Sequence, residues 1–270
     1  MEREEKLMKS NKWKFLLTGV ATLTLLTACS QASSQSATTS NTPQTTATTN
    51  KTTNTNYFTD KDKDTSYDES TASTVKLSGS SATVSGDGVA VSGSTVTISK
   101  AGTYVISGES NGVQIKVEAG DSDDVHIVLK GVTMTNTNAP ISATKAGHVY
   151  LTLADGTTNT LSDSSSNNDE DADAVIFSKG DLTINGSGTL NIDAKKNNGI
   201  KANDTLHITG GTYKITAVGD AFNVNDELNI TGTTMTIDAD EDAVKVDNDE
   251  DTSVGTMYLS DNTNRVCRRA

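Results

Sequence analysis

Between residues 171 and 260, apolar residues fall in short alternating runs, three runs to a unit, and the unit recurs every 22 to 25 residues. The units open at Asp173-Ala174-Val175-Ile176, Asn198-Gly199-Ile200-Lys201, Asp220-Ala221-Phe222-Asn223 and Asp242-Ala243-Val244-Lys245. Each opening leads through an Asp/Asn/Gly turn to one apolar pair, Leu182/Ile184, Leu206/Ile208 and Leu228/Ile230, and then to a second, Leu190/Ile192, Tyr213/Ile215 and Met235/Ile237. Alternation over so few residues specifies a strand with one dry face and one wet face. Three strands in a period of this length predict an all-β chain, a right-handed parallel β-helix whose coils stack so that like residues form ladders. Pairs at Val96/Ile98, Val113/Ile115/Val117, Val125/Ile127/Leu129 and Val149/Leu151/Leu153 carry the theme back to about residue 75 with less regularity. A β-sandwich suits residues 75–130 but leaves the in-register ladder after 171 unexplained.

Composition agrees. Of 270 residues, 33% are hydrophobic and 4% aromatic, too little for a thick conventional core but enough to line a narrow tube with Val, Ile, Leu and Ala. The formal charge of −13 opposes nucleic-acid binding. Two cysteines, Cys29 and Cys267, exclude a disulfide framework and a cysteine-based zinc module.

The N-terminal part reads as targeting. A basic stretch, Lys9 to Lys14, precedes the apolar run Phe15 to Leu26 and the sequence Leu26-Thr27-Ala28-Cys29. This is an export signal, too short for a membrane span, and its end resembles a bacterial lipobox with Cys29 as the lipidated residue. Glu2, Glu4 and Glu5 are out of place in such a signal and favour Met8 as the start. The division expected is a signal peptide over 1–28, a Ser/Thr-rich disordered tether over 29–57, a β-helix over 58–264 and an atypical tail over 265–270. Arginine is absent from residues 4–264, yet Arg265, Arg268 and Arg269 crowd the end, a break that points to a frameshift or truncation. Asp60-Lys61-Asp62-Lys63-Asp64 opens like a helix-loop-helix calcium loop but has Thr65 where glycine is needed and Thr71 where glutamate is needed, so it reads as a solvated lead-in.

Three separated motifs, Thr95 to Gly108, Val149 to Asp163 and the repeated Asp-Ala or Asn-Gly coil openings, together resemble the bacterial carbohydrate-binding right-handed β-helix lipoproteins. The likeness covers about residues 58–262. It implies calcium, an acidic polysaccharide such as polygalacturonate as partner, and an architecture shared with pectate lyases.

The residues themselves also point to a cation. Residues 169–251 hold 18 acidic residues against 6 lysines. Stacking predicts a column of Asp173, Asn198, Asp220 and Asp242, about 4.8 Å apart from coil to coil, with Asp171, Asp193, Asp238 and Asp240 on the turn beside it. Carboxylates so close repel unless a cation sits between them, and their hard oxygens suit Ca2+. The bland alternative at the same place is an acidic edge kept solvated. A second acidic corner lies at Asp181, Asp204, Asp226/Glu227 and Asp247 to Asp251.

Lyase chemistry needs a base near the bound cation; the folded body offers no arginine, and Lys201 and Lys245 stand nearest the column. His126, His148 and His207 have no ligand spacing and read as outward or turn residues. The expected function is a non-catalytic, lipid-anchored surface protein that binds acidic polysaccharide through calcium. A surface adhesin or stalk with a protein partner is the alternative, and a lyase the third reading.

Overall fold

A computed structural model describes residues 57–268. The expected export signal, the lipidated Cys29 and the tether up to residue 56 lie outside them. The described chain is almost entirely β: one sheet of fourteen strands, one of eight, and a single helical turn, Asp60–Lys63.

From residue 174 onward the apolar pairs predicted from the sequence lie in register. Leu182 pairs with Leu206 and Leu206 with Leu228; Ile184, Ile208 and Ile230 follow in the same ladder. Leu190, Tyr213 and Met235 form the next ladder with Ile192, Ile215 and Ile237 beside them. Ile176, Ile200 and Phe222 form the third, in the eight-stranded sheet. Every one of these pairings is parallel, and each strand pairs with the strand three further on. Inward residues of all three ladders merge into one continuous core that includes Ile200, Ile208, Ile215 and Phe222.

One register differs from the sequence reading. Val175 was expected opposite Ile200; the structure pairs Ile176 with Ile200 and Ala174 with Asn198. Alternation normally fixes such a choice, but all five residues Ala174 to Ser178 are buried. The outward ring of Phe177 is covered by Ala139 and Ala172, so the run shows no wet face to read.

Upstream, the strands Gly102–Asn111 and Asp124–Thr135 are long enough to serve two ladders at once. The latter pairs through Val125 to Leu129 with the strand His148–Leu153 and through Thr133 to Thr135 with Thr158–Ser162. Where later coils turn between these ladders, Gly186 has φ +98°, and a Cβ there would stand 2.2 Å from the carbonyl oxygen of Leu153. The start of the stack is closed by antiparallel pairs, Ser73–Gly79 with Ser81–Ser85 and Val89–Ser92 with Thr95–Ile98. At the other end Met257, Leu259 and Val266 are exposed. The strand Thr263–Arg268 pairs in register with Thr234–Ala239, so regular structure runs into the tail that the composition break set apart.

Residues 57–71 run over the outer face of the fourteen-stranded sheet. The expected solvated lead-in is instead docked: Asp62 is only 1% exposed. Its helical turn is closed by a capping box in which Thr59 and Asp62 satisfy each other's backbone amides.

Candidate carbohydrate-binding face

Short runs of the eight-stranded sheet bracket one outward residue between two inward ones: Ile200-Lys201-Ala202, Phe222-Asn223-Val224 and Val244-Lys245-Val246. Parallel pairing sets Phe177, Lys201, Asn223 and Lys245 in one row across successive coils. Adjacent strands in such a row are about 4.8 Å apart. Two hollows flank it and share Lys201. One, of about 360 Å³, is lined by Glu170, Asp171, Phe177 and Lys179; the other, of about 540 Å³, by Asn223, Asn225, Lys245, Asp247, Asp249 and Glu250. The surface therefore offers ammonium groups, amides and carboxylates, donors and acceptors suited to sugar hydroxyls and to uronate carboxylates. It offers no stacking platform, because Phe177 is 3% exposed.

Lys201 Nζ lies 2.7 Å from Asp173 Oδ1 and 3.4 Å from the Asp171 carbonyl. This pairing fixes the ammonium at the junction of the two hollows. Lys245 Nζ stands 3.6 Å from Asp247, just past the end of its own strand.

The seven carboxylates expected to gather around calcium are placed differently. Asn198, Asp220 and Asp242 do form a column: the amide of Asp220 donates to Asn198 Oδ1 and the amide of Asp242 to Asp220 Oδ1. Asp220 Oδ2 accepts from Asn223. Asp173 stands one position off, opposite Asn197, which donates to it. The slipped register of the first coil is the cause. Asp193 and Asp238 lie on another ladder with Thr216 between them. Asp171 is on the segment before the Ala174–Ser178 strand, and Asp240 follows the strand Thr234–Ala239. Backbone amides and neighbouring side chains take the oxygens of Asp173 and Asp220. Among the described residues no three His, Cys, Asp or Glu side chains are grouped to hold a metal ion.

The second acidic corner stacks Asp181, Asp204 and Asp226. Burial raises the Asp204 carboxyl above its ordinary range, and the charges of Asp181 and Asp226 push it further. Asp204 and Asp226 directly follow Asn203 and Asn225 of the groove, whereas Asp181 lines the hollow beside His148 and His207.

The opposite, fourteen-stranded face carries all three histidines. His126, Tyr150, Thr183, His207, Asn229 and Tyr258 succeed one another in one ladder, and His148 is two residues before Tyr150. Sequence spacing hid this, since the neighbours belong to different coils. Asp62 Oδ1 accepts from Thr183 at 2.6 Å; its other oxygen lies 3.2 Å from His207 Nδ1, a charge contact rather than an aligned hydrogen bond. Burial opposes ionisation of Asp62, but His207, Thr183 and Thr59 outweigh it and hold the carboxyl far below the usual range. Burial likewise disfavours charged His207, yet Asp62 and Glu227 reverse the balance and raise it. His126 and His148 are pushed down by burial.

A family profile described as "Carbohydrate-binding domain-containing protein" matches residues 92–267, well over half of the chain. The chain belongs to this family. A carbohydrate-binding domain-containing protein of Acetivibrio thermocellus is 38% identical over 125 residues, a stretch that spans 44% of this chain and 44% of that protein, less than half of either. Among solved structures, the polysaccharide lyase-like protein from C. thermocellum, determined as a gadolinium derivative, superposes with a TM-score of 0.71 at 33% identity. That match covers 73% of this chain and 83% of the other. The groove and the ladders of this family member all fall within the matched region.

Proposed function

We propose that this protein is a non-catalytic surface lipoprotein, lipidated at Cys29 on the extracytoplasmic face of the cell membrane, that binds an acidic, polygalacturonate-like polysaccharide. Its coils form a right-handed parallel β-helix, the hand that parallel crossovers almost always take. The polymer lies along the stack in the groove of the eight-stranded sheet. One observation carries this reading: a member of a carbohydrate-binding family aligns Lys201, Asn223 and Lys245 on successive coils, so a polymer following the axis meets a cation or an amide at each step. Lys201 is paired with Asp173 rather than held apart as a base, which favours binding over lyase chemistry.

Calcium belongs to the proposal at the second corner. The chain alone groups no three metal-holding side chains there, but the like-charge repulsion of Asp181 and Asp226 on Asp204 is the kind a divalent cation relieves once a uronate adds its own oxygens. A uronate carboxylate would complete the oxygen shell, since calcium takes about six to eight ligands.

The test is retention of the full chain on immobilised polygalacturonate with calcium and with EDTA, beside a neutral glucan. Calcium-dependent retention on the uronan, with no unsaturated product absorbing in the ultraviolet, is the expected result. Equal retention on both polymers, or on neither, overturns it. The alternative, a surface adhesin or stalk with calcium-stabilised coils and a protein partner, is told apart by the same experiment. Under that reading calcium raises the melting temperature without conferring glycan affinity.

A further inference from the structure

The path of residues 57–71 runs against the order of the coils. Tyr57 stacks on Tyr258 of the last coil, with ring centroids 4.1 Å apart, and its carbonyl accepts from Asn229 one coil earlier. Phe58 meets the edge of His207 in the coil before that. The main-chain oxygen of Asp62 accepts from Thr209 at 2.7 Å and from Asn185 at 3.2 Å, which lie on adjacent coils. Lys61 lies over the Tyr150 ring and pairs with Asp124; Tyr67 meets His126; Glu69 pairs with Lys130.

Coils that touch only their neighbours are stabilised by nearest-neighbour contacts, and such a stack can open from an end. Here the first coils are closed by antiparallel strands. A segment that bonds to successive coils from the strand Asp124–Thr135 to the strand Thr256–Ser260 supplies the coupling that nearest-neighbour stacking lacks.

We propose that residues 57–71 are a clasp that joins the coils into one cooperative unit, with the buried Asp62 as its pin. The pin holds by shape and charge together. Its carboxylate engages Thr183 and His207 on two successive coils while its carbonyl engages Asn185 and Thr209 on the same two. A half-seated pin would leave a hydroxyl, an imidazole and an amide under cover without their partners, so the clasp is either seated or released. This inference does not depend on what the groove binds.

Hydrogen exchange on the full chain tests it. In Asp62→Ala, amides of Thr205–Thr209, Glu227–Thr231 and Thr256–Ser260 should exchange faster by about tenfold or more, while those of Val125 to Leu129 keep their protection. Trypsin should then cut at Lys61 and Lys63. Should Asp62→Ala fail to fold, Thr209→Val removes a single bond to the pin and should give the same end-weighted pattern with smaller changes. Protection lost evenly over all coils, or unchanged although Lys61 is cleaved, overturns the clasp.

Discussion

Asp62 and His207, 145 residues apart in the chain, face each other at 3.2 Å beneath the N-terminal segment. Because His207 is raised in the folded state, its contribution is fully present below the ordinary histidine value of about 6.5 and is lost as pH rises through its folded value. His126 and His148 are lowered, so theirs is present above about 6.5 and lost as pH falls toward their folded values. The two effects oppose each other. In His207→Gln only the second survives, and the melting temperature should fall more steeply between pH 7 and 5 than in the parent. Thermal melts across that range check it; parallel curves refute it.

The row Lys201, Asn223, Lys245 should set affinity for the polymer. Exposed charge contacts are worth about 0.2–1 kcal/mol each, so Lys245→Gln should weaken binding by a factor of about 1.4 to 5. The double variant Lys201→Gln/Lys245→Gln should elute from a polygalacturonate column at visibly lower salt, with circular dichroism unchanged. Elution at the parental salt concentration would remove the row from the binding face.

Tyr213 lies wholly within the tube, and its hydroxyl has no hydrogen-bond partner among the described residues. A buried unsatisfied hydroxyl costs about 1–3 kcal/mol. Tyr213→Phe should therefore leave stability unchanged or raise it, by up to about 1 kcal/mol. Ile215→Ala, two residues on in the same strand, should lower it by about 2–5 kcal/mol through the cavity it opens. Denaturant midpoints measure both; a clear loss in Tyr213→Phe would mean the hydroxyl has a partner after all.

At the second acidic corner the sign of a neutralising change depends on the cation. In EDTA, Asp204→Asn relieves repulsion from Asp181 and Asp226 and should raise the melting temperature slightly. In calcium with oligogalacturonate the parent should gain stability and the variant should gain less. A variant that still responds to calcium as the parent does would place the ion elsewhere.

The ladders were legible because inward pairs such as Leu206/Ile208 and Leu228/Ile230 alternate cleanly with polar residues, and parallel stacking preserves that alternation from coil to coil. Legibility failed where a second layer covers the outer face. Phe177 is buried on the outside, so the run Ala174 to Ser178 carries no phase, and Asp173 slips out of the acidic column. The row of the groove was half visible: Lys201 and Lys245 stood out as cations, but Asn223 gains meaning only from its neighbours above and below. Nothing local marks Asp62, flanked by lysines in an alternating charged run. Its partner Thr183 is 121 residues away, and tertiary contact alone buries it.

The route of the N-terminal segment also orders events in time. Asn229, which bonds the carbonyl of Tyr57, is made 172 residues after it. A chain emerging from the ribosome thus carries these early residues unseated while winding after winding accumulates behind them. Residues 57–71 are made before the coils they bridge, yet their seating waits for the strand Glu227–Thr231 to arrive.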